Sequence, residues 1–290
     1  MGLLPDQLKL PVFSVVVPTF HRPQALVALL KGIAANCFPR DQIEVIVVDD
    51  SGCGEVDAVL APFRELYSLT ALLTPHLGPG PARQVGIDIA QGEYLAFTDD
   101  DCIPDPGWLS ELYAGLRANP GCAIGGCVLN GLPENVFSST SQIIFDYFVR
   151  QCAVSEVEYV GTGNVAYPAA AFRAIGGLDR NWRIGGGEDR DLCRRWRGSG
   201  RRFVIHSTAS IRHYHPLQLS EFCNQQFRYG RGASRVHRDS PLQRFGFYWG
   251  LVAAGFSGDG RHPRLFTGAL VMLSQLATGC GFIAERLFGP

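Results

Sequence analysis

Short apolar runs alternate with amphipathic segments along the first hundred residues of the chain. Segments 23–35 and 82–90 have the apolar spacing of helices, and Pro23 suits a first helical turn. The apolar runs are rich in β-branched and aromatic residues, as in strands covered on both faces, and comprise residues 13–17, 43–48, 69–74 and 94–97. This alternation predicts an α/β fold with a Rossmann-like, mostly parallel sheet flanked by helices.

The pattern is less regular in the second half. Apolar spacing predicts helices at 108–119, from Glu188 onward and at 217–236, and strands at 123–129, 203–206 and 209–214. Residues 131–154 fit neither pattern, while residues 158–167 carry Gly161, Gly163 and Asn164 among β-forming residues. Three glycines, 185–187, precede Glu188 and indicate either a mobile flap or a place where substrate approaches the backbone.

The C-terminal segment is dominated by uncharged residues. A run of 20 residues without charge, 265–284, lies between Arg264 and Glu285 and is long enough to cross a bilayer. One interpretation is attachment to a membrane, with the preceding arginine-rich segment facing the cytosol. The other is a hydrophobic helix packed on the domain or in a homodimer. We therefore divide the chain into a domain at 1–240, with halves 1–104 and 105–240, and a hydrophobic helical extension at 241–290.

Three consecutive carboxylates follow the fourth predicted strand. Asp99, Asp100 and Asp101 repel one another, so a folded protein keeps them where solvent or a cation offsets the charge. In extended backbone Asp99 and Asp101 point to the same side and can share one hard divalent cation. A solvated acidic loop is the alternative interpretation. Asp49 and Asp50 end the second strand, and the carboxyl ends of parallel strands form the ligand-binding edge of such a sheet.

Charge and cysteine content narrow the classes of function. A net charge of −1 gives no general attraction for nucleic acid, so no nucleic-acid partner is predicted. Nine cysteines are scattered without a CxxC pair, which indicates neither a zinc site nor a disulfide framework. The N-terminus has no basic start and no long apolar core, so we expect a cytoplasmic chain, free or on the cytosolic face of a membrane.

Several motifs occur in an order that is hard to obtain by chance. The sequence resembles the family 2 glycosyltransferases, which have the GT-A fold, from residue 13 to about residue 232. The motifs that carry the resemblance are VVVPTFHRP, VIVVDDSG, GPARQVGIDIAQGEYLAFTDDDC, GTGNVAYPAAAFRAIGGLD, GGGEDRDLCRRW, HYHP and QQFRYGRG. The resemblance implies an inverting, metal-dependent enzyme that moves one sugar from a nucleotide-diphosphate donor, a UDP-sugar, to a hydroxyl of a glycan or lipid-linked acceptor.

The same resemblance assigns residues to the donor. It implies that Pro18 and Phe20 line the base pocket, that Asp49 and Asp50 hold the base or ribose, and that Arg83 reaches the diphosphate or base. Donor choice would depend on the pocket around Asn164 and Gly187.

The metal site would be built on the acidic triplet. Asp99 and Asp101 match the outer residues of the family's DxD motif, which binds Mn²⁺ or Mg²⁺ through the donor diphosphate, and Asp100 between them joins the nucleotide-sugar site. The histidine that completes the metal site in many relatives corresponds to His213 or His215, of which we prefer His213.

The resemblance also assigns catalytic and acceptor residues. Glu188 and Asp189 match the family's ED motif, whose aspartate is the general base that removes the proton of the attacking hydroxyl. Capping of a helix is the alternative role of this pair. Three residues resemble the QxxRW motif of processive synthases, with tyrosine replacing tryptophan, and would contact the acceptor sugar and phosphate: Gln225, Arg228 and Tyr229. Because of that replacement, we expect single transfer rather than polymerisation.

Two other functions compete with glycosyl transfer. A sugar-phosphate nucleotidyltransferase shares the sheet architecture, but it would carry a glycine-rich, basic loop after the first strand, where this chain has residues 18–23, PTFHRP. A non-catalytic sugar-nucleotide-binding or scaffold protein is the third hypothesis, and an assay for metal-dependent release of UDP distinguishes it from an enzyme.

Overall fold

The computed structural model describes residues 10–151, 158–236 and 245–289, and its centre is one eight-stranded sheet. The strands in chain order are β1 (Phe13–Thr19), β2 (Ile43–Asp49), β3 (Ser68–Leu73), β4 (Tyr94–Thr98), β5 (Cys102–Pro104), β6 (Ala123–Asn130), β7 (Asn164–Pro168) and β8 (Phe203–His213). Across the sheet their order is β3-β2-β1-β4-β7-β6-β8-β5. The fold is therefore mixed α/β, as the alternating pattern predicts.

In the described parts of the chain, ten helices cover the sheet and extend it. They are α1 (Pro23–Ala34), α2 (Asp57–Leu60), α3 (Pro79–Ile89), α4 (Trp108–Ala118), α5 (Val136–Gln151), α6 (Ala169–Ala174), α7 (Glu188–Gly198), α8 (Leu219–Val236), α9 (Phe245–Ser257) and α10 (Arg264–Phe288). Short 3-10 turns occur at Arg40–Gln42 and Ala61–Phe63.

The first four strands are parallel and share one carboxyl edge. In β1, Thr19 pairs with Asp49 of β2, and Val16 pairs with Phe97 of β4, so the loops after these strands leave the sheet together. The sheet then becomes mixed, because β7 pairs antiparallel with both β4 and β6. At the far edge β5 pairs antiparallel with β8, which aligns Cys102 with His213. This last pairing returns the chain to the end of the acidic triplet.

Both faces of the sheet are buried at β1, which explains its run of three consecutive valines, Val15–Val17. Val15 and Val17 pack in a core with Leu29 of α1, whereas Val16 between them packs in a second core with Trp196 of α7. Since successive side chains of a strand alternate between faces, each position of β1 meets an apolar layer.

Two segments differ from the sequence-based expectation. The unassigned segment 131–154 contains α5, whose start is capped by Asn135: its side-chain oxygen accepts hydrogen bonds from the backbone N–H groups of Phe137 and Ser138, both at 3.0 Å. The last residues of that segment, 152–154, lie outside the described residues. The two predicted strands 203–206 and 209–214 are one strand, β8.

The C-terminal helix packs on the domain. One face of α10 lies against α8, where Gly230 faces the backbone of Thr278 and Gly281 faces the backbone of Phe227. Among the described residues, α10 is the one helix long and apolar enough to cross a membrane by length and composition. The predicted boundary between residues 240 and 241 falls outside the described residues.

Candidate active site

The acidic triplet lies at the carboxyl edge of the sheet and is held by the loop that follows β1. The hydroxyl of Thr19 donates a hydrogen bond to Asp100 Oδ2 at 2.7 Å. The guanidinium of Arg22 lies 2.5 Å from Asp101 Oδ2 and 3.4 Å from Asp100 Oδ1. Burial, opposed by the charge of Arg22 and assisted by that of Asp101, raises the pKa of Asp100 to about 7. Asp100 is therefore fixed inside the edge of the sheet.

Asp101 and His213 form the pair that the β5–β8 pairing brings together. His213 Nε2 lies 3.2 Å from Asp101 Oδ1. Burial alone would raise the pKa of Asp101, but its hydrogen bond with His213 and the charges of His213 and Arg22 outweigh burial and lower it below the usual range. Burial also opposes protonation of His213, yet the contact with Asp101 raises its pKa. Ligand atoms of Asp101, Cys102 and His213 lie within 4.8 Å of one another.

His215 has a different environment from His213. Its ring lies 5.2 Å from the ring of His213, and its Nδ1 faces the side-chain amide of Gln225 at 3.4 Å. Burial lowers the pKa of His215. Among the predicted acceptor residues, Gln225 is therefore buried beside the histidine pair rather than at the surface.

Asp99 contacts α3 through its carboxylate. Its carboxylate is hydrogen-bonded to the guanidinium of Arg83, which is 3% exposed, and an oxygen of Asp99 also adjoins Gly163. The structure thus joins two predicted donor-site residues, Asp99 and Arg83, directly. The three aspartates face different partners, and Asp101 is the member nearest to a histidine.

The two aspartates at the end of β2, Asp49 and Asp50, differ in the hydrogen bonds that their carboxylate oxygens accept. Asp50 accepts hydrogen bonds from the hydroxyl of Thr74 at 2.7 Å and from the N–H groups of Leu77 and Gly78 at 2.7 and 2.8 Å, so its carboxylate holds the loop before α3. Asp49 Oδ1 accepts from the backbone of Ser51, while its buried Oδ2 has no hydrogen-bond partner among the described residues.

Phe20 is the accessible member of the predicted base pocket. Its ring is 40% exposed and lies 4.4 Å from the ring of His21 and 4.5 Å from that of His76. Pro18 lies within β1, is buried and pairs with Val48 of β2. The structure therefore presents Phe20 at the edge and keeps Pro18 inside the sheet.

Glu188 and Asp189 begin α7 directly after the three glycines. Glu188 Oε2 accepts a hydrogen bond from the N–H of Gly186 at 2.8 Å. Burial and the charge of Asp189 raise the pKa of Glu188 to about 7, against the charge of Arg83. Asp189 accepts a hydrogen bond from the hydroxyl of Tyr159. The N-cap of α7 is Gly187, without a side-chain hydrogen bond, so Glu188 holds the glycine segment before the helix and Asp189 contacts Tyr159.

The glycine segment before α7 packs on α8, which carries Arg228 and Tyr229. Gly187 has φ 90°, and a Cβ on it would lie 2.8 Å from the Cα of Gly232, so the close approach requires glycine. Gly186 contacts the ring of Tyr229. Although 42% of Tyr229 is exposed, desolvation of its hydroxyl and then the charges of three carboxylates raise its pKa: Asp189, Glu188 and Asp99. The ring of Tyr229 therefore lies among the residues of both halves of the site.

One predicted donor residue lies inside the core instead. The side-chain amide of Asn164 is 1% exposed and donates hydrogen bonds to the backbone oxygens of Cys127 and Ala209, both at 2.9 Å. Its oxygen accepts from the indole N–H of Trp108 at 2.8 Å. The structure does not bring the Asn164 side chain to the acidic cluster; its amide joins β6, β7 and β8.

The sequence analysis missed three residues that shape the site. Thr19 and Arg22 hold the acidic triplet, and Tyr159 holds Asp189. Thr19 ends strand β1 at the carboxyl edge and Arg22 follows that strand, and this position is a signal that the sequence contains. Tyr159 has no such signal, since its contact with Asp189 spans 30 residues and depends on the packing of α7.

The mixed α/β fold resembles that of solved glycosyltransferase structures. A mannosyltransferase from Pyrobaculum calidifontis, solved with GDP-Man and Mn²⁺, superposes with a TM-score of 0.64 at 18% identity, covering 99% of this chain and 89% of that one. Staphylococcus aureus TarS 1–349 in complex with UDP-GlcNAc gives a TM-score of 0.57 at 16% identity, covering 95% and 91%. These likenesses show the fold.

Family membership comes from the sequence comparisons. The model of glycosyl transferase family 2 matches residues 14–176, more than half of the chain, and the chain belongs to this family. A second model, the N-terminal domain of galactosyltransferase, matches residues 145–218.

Curated relatives agree with this membership. A pre-mycofactocin glycosyltransferase of Mycobacterium tuberculosis is 29% identical over 284 residues, covering 94% of this chain and 54% of the relative. Glycosyltransferase AglE of Haloferax volcanii is 24% identical over 230 residues, covering 78% and 74%. The chain thus spans about half the length of the first of these relatives.

Proposed function

We propose that this chain is an inverting, metal-dependent glycosyltransferase that moves one sugar from a nucleotide-diphosphate donor to a hydroxyl acceptor. One chain of contacts carries the proposal: Asp101 contacts His213, whose pKa the charge of Asp99 also raises, Asp99 contacts Arg83, and the charge of Arg83 acts on Glu188 beside Asp189. Such a site can hold a pyrophosphate on one side and accept a proton on the other.

The residues at the acidic triplet fit a divalent cation. A carboxylate oxygen of Asp101 and a ring nitrogen of His213 lie within 4.8 Å of each other, and Mn²⁺ accepts both types of ligand atom. A bound Mn²⁺ or Mg²⁺ would neutralise the charge that grows on the leaving diphosphate. Asp99, two residues before Asp101, completes the DxD spacing.

The proposed base is Asp189. Its carboxylate takes the proton of the acceptor hydroxyl as the oxygen attacks the anomeric carbon, and the hydrogen bond from Tyr159 orients it for this step. Burial and the charge of Asp189 raise the pKa of Tyr159, so the phenol stays protonated and remains a donor. Glu188 fixes the glycine segment through Gly186.

Arginines supply positive charge at the other side of the donor. Arg83 is buried against Asp99, and its guanidinium reaches the predicted position of the diphosphate. Arg228 adjoins Gly185 at the start of the glycine segment, where it meets phosphate or acceptor. Gln225 supports this region through its contact with His215. Tyr229 offers an aromatic face to the acceptor sugar.

A UDP-sugar is the proposed donor, with Phe20 stacking on the base and Asp49 accepting from base or ribose. The unpartnered Oδ2 of Asp49 supports this assignment, because a buried acceptor without a hydrogen bond is rare. The acceptor is a glycan or a lipid-linked saccharide. We place the reaction in the cytosol, at the face of a membrane to which α10 attaches the enzyme, with residues 1–104 as the donor half and 105–240 as the acceptor half.

The central test is release of UDP from a panel of UDP-sugars with Mn²⁺ and candidate acceptors. The Asp189→Asn variant loses turnover by at least ~100-fold, since a general base contributes at least that much, while Mn²⁺-dependent thermal stabilisation by the donor stays unchanged. Asp101→Ala loses that stabilisation. The exposed Asp57→Asn is the control and retains both. Normal turnover in Asp189→Asn would show that the assigned base is wrong.

A further inference from the structure

A second cluster of metal-binding side chains lies outside the proposed donor metal site. It consists of His21, Cys53 and Glu55, all exposed, whose ligand atoms lie within 4.8 Å of one another. His21 Nδ1 is 2.8 Å from Glu55 Oε1. None of the three has a place in the proposed transfer reaction.

Two loops bring these side chains together. His21 follows β1, with φ 53°, whereas Cys53 and Glu55 follow β2. Because β1 and β2 are adjacent and parallel, both loops start from the same edge of the sheet. Ser51 steadies the second loop: its hydroxyl accepts a hydrogen bond from the N–H of Cys53 at 3.2 Å and lies 3.1 Å from the Cys53 sulfur. The two loops thus bring three possible metal-ligand atoms within 4.8 Å of one another.

We propose that His21, Cys53 and Glu55 bind a borderline-soft divalent cation, represented by Zn²⁺. An imidazole nitrogen, a thiolate and a carboxylate are the three ligand types of protein zinc sites, and the thiolate and carboxylate balance the charge of the ion. Small side-chain movements bring the three atoms to the ~2.0–2.3 Å bond lengths of such a site. Binding releases the thiol proton of Cys53 to solvent, and the fourth position stays open to water.

The accessibility of the thiol separates this site from the donor metal site. Both clusters contain a carboxylate, a thiol and an imidazole, but Cys102 beside Asp101 and His213 is buried, whereas Cys53 is exposed. An accessible thiolate favours Zn²⁺ over the hard ions Mn²⁺ and Mg²⁺. The sequence alone gives no sign of the site, because Cys53 has no cysteine partner and His21 lies 32 residues before it.

A cation at this point would tie together the two loops that border the donor site. His21 makes an edge-to-face contact with Phe20, and the next residue, Arg22, forms an ion pair with Asp101. A bridge from His21 to Cys53 therefore restrains the residues on both sides of it. Because the ion binds the folded arrangement of both loops, it raises the melting temperature of the protein as its concentration rises above Kd.

Cobalt is the direct probe, since a Co²⁺–thiolate bond gives a near-ultraviolet charge-transfer band. The full chain, reduced and in excess Mg²⁺, is titrated with Co²⁺ and then with Zn²⁺. We expect a band that saturates at one Co²⁺ per chain and disappears on addition of Zn²⁺. Cys53→Ser abolishes the band, and His21→Gln weakens Co²⁺ binding at least tenfold. Cys37→Ser, at another exposed cysteine, retains the parent band.

Other outcomes overturn the proposal. Absence of a band in the parent chain, or a band that survives in Cys53→Ser, excludes Cys53 as a ligand. A band that is lost in Cys102→Ser but kept in Cys53→Ser places the cobalt at the Asp101–Cys102–His213 cluster instead. The readout is spectroscopic and needs no sugar transfer, so its result is independent of the proposed enzyme activity.

Discussion

Tyr159 and Asp189 form a contact whose loss should affect chemistry more than binding. Tyr159→Phe keeps the ring in place and removes the one hydroxyl that donates to Asp189 Oδ2 among the described residues. A hydrogen bond to a charged group contributes about 1.5–3 kcal/mol, so we expect kcat to fall at least tenfold with little change in donor KM. Steady-state kinetics with saturating acceptor measure both quantities.

A matched change tests whether this effect is specific to the base. Tyr113→Phe removes a hydroxyl from an aromatic cluster with Phe13 and Phe38 in the core, on the other side of the sheet from α7. Its kcat should equal that of the parent. Equal kcat in Tyr159→Phe and the parent would remove Tyr159 from the site.

Glu188 makes stability depend on pH. Its carboxyl has a pKa of about 7 in the fold, raised from 4.5 chiefly by burial. The folded state therefore binds this proton more tightly than the unfolded chain, and stability falls as pH rises from about 4.5 to about 7. Glu188→Gln has no such loss and keeps an oxygen for the N–H of Gly186. Its free energy of unfolding should exceed the parent value by roughly 1–2 kcal/mol at pH 8, after discounting for partial exposure.

Urea denaturation at pH 5 and pH 8 measures this difference. The gap between Glu188→Gln and the parent should be small at pH 5 and widen by pH 8. Glu65→Gln, an exposed residue, serves as the control and should follow the parent at both values. A gap that is the same at both values would mean that Glu188 titrates as an ordinary carboxyl.

The sequence shows which residue types stand at the strand ends, but it does not predict which hydrogen bonds their side chains make. Asp49 and Asp50 are adjacent, and the resemblance gives them one task. In the fold Asp50 is used by Thr74 and two backbone N–H groups, whereas Asp49 keeps a free oxygen. Asn164 looks like a polar residue in a glycine loop, yet its hydrogen bonds lie in the core. Such roles depend on contacts between segments that are distant in the chain.

Whether a helix or strand can be predicted from the sequence depends on which side chains it buries. Strand β1 and helix α1 bury apolar side chains in regular patterns, so their positions were clear from spacing. Helix α5 was missed because the residues it buries are Ser138, Ser139 and Thr140, which produce no apolar stripe. Strand β8 was read as two strands because exposed polar residues interrupt its apolar pattern at its centre.

The contact between α8 and α10 depends on glycines and can be tested at one of them. A Cβ on Gly281 would lie 2.0 Å from the backbone oxygen of Phe227, so Gly281→Ala forces the two helices apart. We expect a loss of about 1–3 kcal/mol in unfolding free energy, as for overpacked interiors. Because α8 also contacts the glycine segment before α7, kcat should fall in the same variant.

Gly279 of the same helix provides the matched control. A Cβ on Gly279 meets nothing within 4 Å, so Gly279→Ala should stabilise the protein slightly through its higher helix propensity. Thermal unfolding and UDP release measured on both variants separate the two effects. If Gly281→Ala is as stable and as active as Gly279→Ala, the α8–α10 contact does not position the site.

At the scale of the whole molecule, α10 both belongs to the domain and presents an apolar surface. Its inner face is fixed by Glu285, which lies 2.7 Å from Arg231 and 2.5 Å from Arg235 of α8. Its outer face is a stripe of exposed apolar side chains: Leu265, Met272, Leu276, Ile283 and Leu287. The sequence predicts a hydrophobic helix but does not divide its faces, because the contacts with α8 join distant residues, as Arg235 lies 50 residues before Glu285.

This outer stripe is where attachment to a membrane would act, and Leu276 and Ile283 are the residues to change. They are 68% and 58% exposed, so Leu276→Gln/Ile283→Gln should leave the melting temperature unaltered. Burying such a side chain in lipid contributes about 1.5–3 kcal/mol, so partition onto anionic vesicles should weaken at least tenfold. Leu73→Gln, at an exposed position on the edge strand β3, should sediment with vesicles like the parent. A parent chain that stays in the supernatant contradicts attachment, and a dimer that the double substitution converts to a monomer assigns the stripe to a second copy of the chain.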